Sequence, residues 1–171
     1  STKGGITFAA STTQNGIHMI TVVLGVEAVD GDPYARFVAT SSLMNYVVRT
    51  FVSSIVVKEG DPYGKSKATV MDGKSETVLA VAKKDFYIVE KQGSQAEPKI
   101  QFKSNQESFR APVKSGTNLG KLHYTDPDKI GRGYLEDQEP TVDMVSGRTI
   151  EKSFFLKVWW NEFVRYVNEK L

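Results

Sequence analysis

The sequence contains no cysteine among its 171 residues, which excludes disulfides, thiolate metal sites and a cysteine nucleophile. That absence is compatible with the cytosol and equally with a bacterial extracytoplasmic space. Histidine is nearly absent, with two copies, His18 and His123. His18 shares a strand face with Ile20 and Val22, and His123 stands beside Tyr124 in a short strand. His18 reads as a structural or edge-exposed imidazole and not a catalytic one, His123 has no second histidine or carboxylate cluster near it to make a metal site, and no cofactor is expected. An excess of one charge is also lacking: 22 basic and 20 acidic side chains leave +2. They are scattered in both signs along the chain, which gives no concentrated field for nucleic acid. No apolar run approaches the ~20 residues that span a bilayer, and no signal peptide opens the chain. Because the chain opens on Ser1 and not on Met, its start is expected not to be the native one.

Local signatures of chemistry are missing too. A nucleophilic serine needs a base beside it, and Ser-x-x-Lys would place both on one helical turn; the sequence has none. Ser-x-Asn, Gly-x-Ser-x-Gly, His-Glu-x-x-His and a Walker loop are equally absent. Asp126-Pro127-Asp128 and Glu136-Asp137 read as turn and surface charges, not as an acid and base pair. Lys114-Ser115-Gly116 lies among short strands, where a turn accounts for its glycine.

What is present begins with a composition that can build a core, 40% hydrophobic and 25% charged. The first third is organised around Gly16 to Val26, GIHMITVVLGV. As a strand its faces read Ile17, Met19, Thr21, Val23 and His18, Ile20, Val22, Leu24, both largely apolar, so it needs cover on two sides. ITFAAST before it forms a partner strand, with Asn15-Gly16 supplying hairpin turn chemistry. Asp32-Pro33 predicts a helix start, and Phe37, Thr40, Ser41, Met44, Val47, Val48 and Phe51 share one helical face. That helix can cover one side of the hairpin. Nothing else here covers the other.

Val52 to Lys58 reads as extended, and Gly60-Asp61-Pro62-Tyr63-Gly64 interrupts it. Beyond lie short strands at Lys67–Met71, Thr77–Val81, Phe86–Glu90, Ile100–Phe102, Phe109–Val113, Lys121–Tyr124 and Pro140–Val145, the texture of a small antiparallel sandwich. No repeat and no low-complexity segment interrupts them. The last stretch, Ser153 to Leu171, is amphipathic. Leu156, Trp159, Trp160, Phe163, Tyr166, Val167 and Leu171 share one side, and Lys157, Asn161, Arg165 and Asn168 the other. Such a helix suits the headgroup plane of a membrane, tempered by Glu162 and Glu169, or a docking face on protein.

The run GITFAASTTQNGIHMITVVLGV, then Arg36-Phe37, Leu43-Met44 and Phe51, resembles the end of the catalytic domain of low-molecular-mass penicillin-binding proteins of the penicillin-binding protein 5 kind. These are serine-type D-alanyl-D-alanine carboxypeptidases. VMDGKSETV, APVKSGTNLGKL and SFFLKVWW extend the resemblance to that family's β-rich module and terminal helix. In such enzymes a Lys-Thr-Gly strand precedes the segment that starts here, and Ser-x-x-Lys and Ser-x-Asn lie further upstream.

The resemblance implies an α+β chain in three parts. Residues 1–57 are a hairpin and helix remnant of the transpeptidase-type catalytic domain, 58–150 a small antiparallel β-sandwich, and 151–171 an amphipathic membrane-surface helix. It implies a C-terminal fragment with no catalytic residue of its own, from a parent that trims the terminal D-Ala from peptidoglycan stem pentapeptides through a serine acyl-enzyme. Arg36 resembles an arginine near the active-site mouth, suited to a substrate carboxylate. Leu156, Trp159, Trp160, Phe163, Tyr166 and Val167 are the expected anchor to the outer face of the bacterial cytoplasmic membrane. The expected partners are the stem peptide, through the catalytic portion, and the membrane, with a fragment dimer burying the uncovered hairpin face. The competing reading is a non-enzymatic, membrane-associated β-sandwich that binds a cell-wall protein or glycan. A third is an interaction domain with a docked terminal helix and no membrane contact.

Overall fold

A computed structural model describes residues 5–27, 32, 34–126, 128, 129, 131, 133, 134, 138–154, 159, 160, 163, 164, 166 and 167. Among the described residues the fold is mostly β-sheet with one long helix. The chain divides into two compact units, Ser1–Ser54 with Ile88–Gln95, and Ile55–Tyr87 with Ala96–Leu171.

In the first unit β1 (Ile6–Gln14) and β2 (Ile17–Val26) pair antiparallel, with Gln14 opposite Ile17. Asn15 and Gly16 take positive φ, 51° and 75°, the backbone of a two-residue turn whose twist matches the strands. Alternation then separates two sides. Ile17, Met19, Thr21 and Val23 are 5–8% exposed, whereas Ile20, Val22 and Leu24 are 72%, 57% and 74% exposed.

Helix α1 (Ala35–Thr50) packs on both strands. Phe8, paired with Val23 on the buried side, meets the ring of Phe37 edge-on at 5.0 Å between centroids. Thr40 is buried, and its hydroxyl donates to the Arg36 carbonyl at 2.8 Å, so it leaves no orphan polar atom. The helix begins two residues later than the sequence suggests. Pro33 lies outside the described residues, and Tyr34 takes the cap position while its N–H donates to the Asp32 carboxylate at 2.8 Å. At the other end Phe51 is extended, φ −122° and ψ 152°, and its N–H donates to the Val47 carbonyl. It therefore closes the helix and opens β3 (Phe51–Val57).

The second unit is built on a six-stranded sheet. Its strands are β4 (Pro62–Met71), β5 (Thr77–Ala82), β7 (Lys99–Ser104), β8 (Phe109–Arg110), β9 (Asn118–Thr125) and β10 (Thr141–Ser146). Their order across the sheet is β7-β9-β10-β5-β4-β8, and β3 pairs with β6 (Phe86–Lys91) as a separate two-stranded sheet. Period-two alternation puts Ala68, Val78, Ala80, Leu122, Tyr124, Val142 and Met144 into the core, and Leu122 and Met144 are wholly buried. The outer positions of the same strands carry Lys, Thr, His, Asp and Gln along with Leu79, Val81 and Val145. Gly120 fixes the approach of β7 to β9: a Cβ there would lie 2.1 Å from the Lys103 carbonyl oxygen.

One pairing departs from the antiparallel expectation, since β8 runs parallel to β4 through Val70↔Phe109 and Met71↔Arg110. Two contacts hold it there. The Ala111 N–H donates to the Met71 carbonyl at 2.9 Å, and Arg110 Nε donates to Asp72 Oδ2 at 3.0 Å. The Asp72 side chain is 2% exposed, so its charge is buried against that guanidinium. The Gly60–Gly64 stretch also differs from a plain break. Pro62 and Tyr63 already belong to β4, with Gly64 at φ 56° and a register shift between Pro62 and Lys67. A proline at the first strand position forfeits no essential donor, and the shift absorbs the glycine as a bulge.

Candidate functional site

Arg36 lies in the first turn of α1, half-buried. Its guanidinium carbon sits 4.6 Å from the centre of the Phe37 ring, and the Tyr34 ring stands 6.2 Å from that of Phe37. The stack orients the cation at modest cost. The first turn of α1 holds no acidic side chain, but the Asp32 carboxylate just before it accepts from the Tyr34 N–H at 2.8 Å, so one side-chain anion already stands at the positive end of the helix dipole beside Arg36.

The sequence expected the terminal aromatics to share a side. Trp159, Trp160, Phe163, Val164, Tyr166 and Val167 are helical. Trp159 stacks on Phe163 at 6.1 Å and Trp160 meets the same ring at 6.0 Å. Both tryptophans, Phe163 and Tyr166 are exposed. Leu156, Lys157, Asn161, Glu162, Arg165, Asn168, Glu169 and Leu171 lie outside the described residues. Among the described residues no helix is long and apolar enough to cross a membrane.

Other candidates resolve into local structure. In Lys114-Ser115-Gly116 the Lys114 carbonyl accepts from the Thr117 N–H at 3.1 Å and Gly116 has φ 82°, which is a turn. His18 is exposed, its Nδ1 3.0 Å from the Thr13 hydroxyl. Asp126 accepts from the Asp128 N–H at 2.8 Å, a side-chain turn; Pro127, Glu136 and Asp137 lie outside the described residues. Among the described residues no group of three or more His, Asp or Glu is placed to hold a metal.

Charges that are dispersed along the chain are gathered by the sheet. Lys103 stands directly opposite Lys121, Gln101 opposite His123, and Lys99 opposite Thr125. Sequence reading missed this cluster because the paired lysines are 18 positions apart. Its local trace is a period-two pattern, Lys99-x-Gln101-x-Lys103 and Lys121-x-His123. Burial and then the neighbouring Lys103 and Lys121 charges hold the His123 imidazole below its ordinary value, against a smaller opposing pull from Glu139.

The family model for the C-terminal domain of penicillin-binding protein 5 matches residues 51–152. The chain belongs to that family. It is the C-terminal part of a low-molecular-mass penicillin-binding protein.

Among solved structures the chain is similar to PBP3 of Streptococcus pneumoniae, described as a peptidoglycan synthesis regulatory factor, at 43% identity and TM-score 0.81, over 88% of this chain and 41% of that one. Penicillin-binding protein 5 of Haemophilus influenzae shares the fold at 22% identity and TM-score 0.62, over 89% of this chain and 40% of that one. Among curated proteins the D-alanyl-D-alanine carboxypeptidase DacA of H. influenzae is 27% identical over 116 residues, 68% of this chain. The chain spans 28% of DacA's length. The relatives thus include a D-alanyl-D-alanine carboxypeptidase, and the family match falls on β3 to β10.

Proposed function

We propose that this chain is the C-terminal portion of a serine-type carboxypeptidase that removes the terminal D-Ala from peptidoglycan stem pentapeptides and is acylated by β-lactams. The serine, its lysine partner and the acyl-enzyme belong to a catalytic portion that this sequence does not contain. Residues 1–57 form the hairpin and helix remnant of that portion. Residues 58–150 form a β-rich module that acts as a stalk, and residues 151–171 lie on the outer face of the bacterial cytoplasmic membrane. The observation that carries this reading is the outward side of β2. Three large apolar side chains more than half exposed on one strand are the signature of a face built to be covered.

In the whole protein, Arg36 contributes a stacked cation for the substrate carboxylate. In the isolated chain, the outward side of β2 promotes a dimer or a swapped hairpin. A labelled penicillin is expected to acylate the full-length protein and to leave this chain unmarked. Labelling of this chain would overturn the reading, and a full-length protein that resists acylation would favour the non-enzymatic wall-binding module. Arg36→Ala in the full-length enzyme is expected to raise KM for a stem pentapeptide about tenfold with little change in kcat. Trp159→Ala with Trp160→Ala is expected to abolish flotation with liposomes.

A further inference from the structure

The outer face of the six-stranded sheet carries a charge arrangement that packing does not require. Strand pairs are stabilised by opposite charges across the ladder and destabilised by like charges directly opposite, yet Lys103 and Lys121 occupy one such pair. Lys99 lies on the same side of β7, two positions beyond Gln101. On the far side of β9, Lys121 faces Asp143, whose carbonyl accepts from the Lys83 N–H at 3.0 Å. Lys83 and Lys84 border a cleft of 290 Å³ with Thr141 and Asp143, and Thr141 is the cross-strand neighbour of His123.

Five lysines thus meet Asp143, Glu139 and Asp85, and two of these carboxylates are already engaged, Glu139 by the Thr125 hydroxyl at 2.9 Å and Asp85 by the Glu59 N–H at 2.8 Å. Among the described residues none of the five lysines is in an ion pair; the two bridges there are Lys74–Glu151 and Arg110–Asp72. Lysines at the edge strand β7 would by themselves blunt that edge against further pairing. Lys121, on a central strand, is balanced by Asp143 on the β10 side but meets a like charge, Lys103, on the β7 side.

We propose that this face binds a linear phosphodiester polymer that lacks aromatic groups, of the poly(glycerol phosphate) type. Three features select that chemistry. The cations are all lysine, compact point charges that meet phosphate oxygens without the planar fork needed for bidentate carboxylate pairing. They spread over strands β7 and β9 and the two residues that follow β5, so they match charges repeated along a chain better than one isolated anion. The outer positions of β7, β9 and β10 carry no Phe, Tyr or Trp and a single imidazole, His123, so they lack the series of stacking platforms on which successive bases of single-stranded nucleic acids sit. Bound phosphate would relieve the Lys103–Lys121 repulsion and favour the charged form of His123. The groups facing His123 are Lys103 and Gln101 from β7, Lys121 and Thr125 from β9, and Glu139, Thr141 and Asp143 from β10 and the residues before it. This binding is independent of the carboxypeptidase reading, since it uses none of the residues assigned there.

The test is titration of the whole chain with synthetic poly(glycerol phosphate) at low and high salt, with His123 followed by NMR. Saturable binding that weakens with salt and raises the His123 pKa is expected. Lys103→Gln with Lys121→Gln should weaken it about tenfold or more, while Arg49→Gln with Lys91→Gln, which removes the same charge elsewhere, should change it less than about twofold. Absence of binding at low salt, or equal weakening by both pairs, would overturn the proposal. Vesicles of phosphatidylglycerol supply the same phosphate chemistry from a membrane. If they bind the terminal-helix variant Trp159→Ala with Trp160→Ala through these lysines and the polymer does not, the polymer assignment falls.

Discussion

Two sheets in this molecule each bury one side, and they treat the other side in opposite ways. The outward side of β2 offers Ile20, Val22 and Leu24, which are more than half exposed. The outward side of the six-stranded sheet offers mainly lysines, threonines and His123, with Leu79, Val81 and Val145 among them. An apolar outward side is costly in water, at roughly 25 cal/mol for each Å², and implies cover. A lysine-rich one is stable in water and implies at most an ionic partner. The same period-two backbone therefore carries two different messages, and only the side chains distinguish them.

The sharpest way to break this contrast is truncation on each sheet. Leu122→Ala, in the buried core, is expected to cost about 2–5 kcal/mol, whereas Ile20→Ala should cost under about 0.5 kcal/mol in the isolated chain. Urea denaturation midpoints measure both, and equal losses would mean that Ile20 is already covered. Next in size is Asp72→Ala, which removes the buried partner of Arg110 and loosens β8 from β4. A loss of about 1–3 kcal/mol is expected by the same denaturation. Replacing Ile20 and Leu24 by lysine makes the β2 side resemble the other sheet. Self-association seen by sedimentation equilibrium should fall, with stability changed by no more than about 0.5 kcal/mol.

The smallest effect concerns pH. The folded pKa of His123 lies below its ordinary value, so the unfolded chain binds the proton first. Its contribution to stability is complete above about pH 6.5 and is lost as pH falls below that value toward the folded pKa. Thermal unfolding of His123→Gln should be flatter across that window, and Lys103→Gln should move the His123 NMR titration upward.

Much of the β2 region was legible because its signals are local. Asn15-Gly16 specifies a tight turn, alternation specifies two sides, and the spacing from Phe37 to Val48 specifies the helix that covers one of them. The strands from Lys67 to Val145 were legible for the same reason, within a residue or a few at each end. What local pattern could not convey was direction and distance. Phe109 and Arg110 read as a strand, but their parallel pairing with β4 depends on Asp72, 38 positions from Arg110. The end of α1 moved because Phe51 satisfies both the helical face and the first position of β3, and its backbone resolves that conflict as extended. Pro62 reads as a breaker in sequence, yet a proline opening a strand breaks nothing. The lysine cluster was invisible for the reason β8 was, since register makes neighbours of residues that sequence keeps apart.

The Lys103–Lys121 pair turns ionic strength into an instrument. Added salt screens repulsion between two folded-state charges, so this pair should make the chain slightly more stable as salt rises. The same screening should release any polyanion held by those two lysines. One pair of side chains then drives folding and binding in opposite directions along a single axis. Loss of both slopes together in Lys103→Gln with Lys121→Gln would trace them to one place on the sheet.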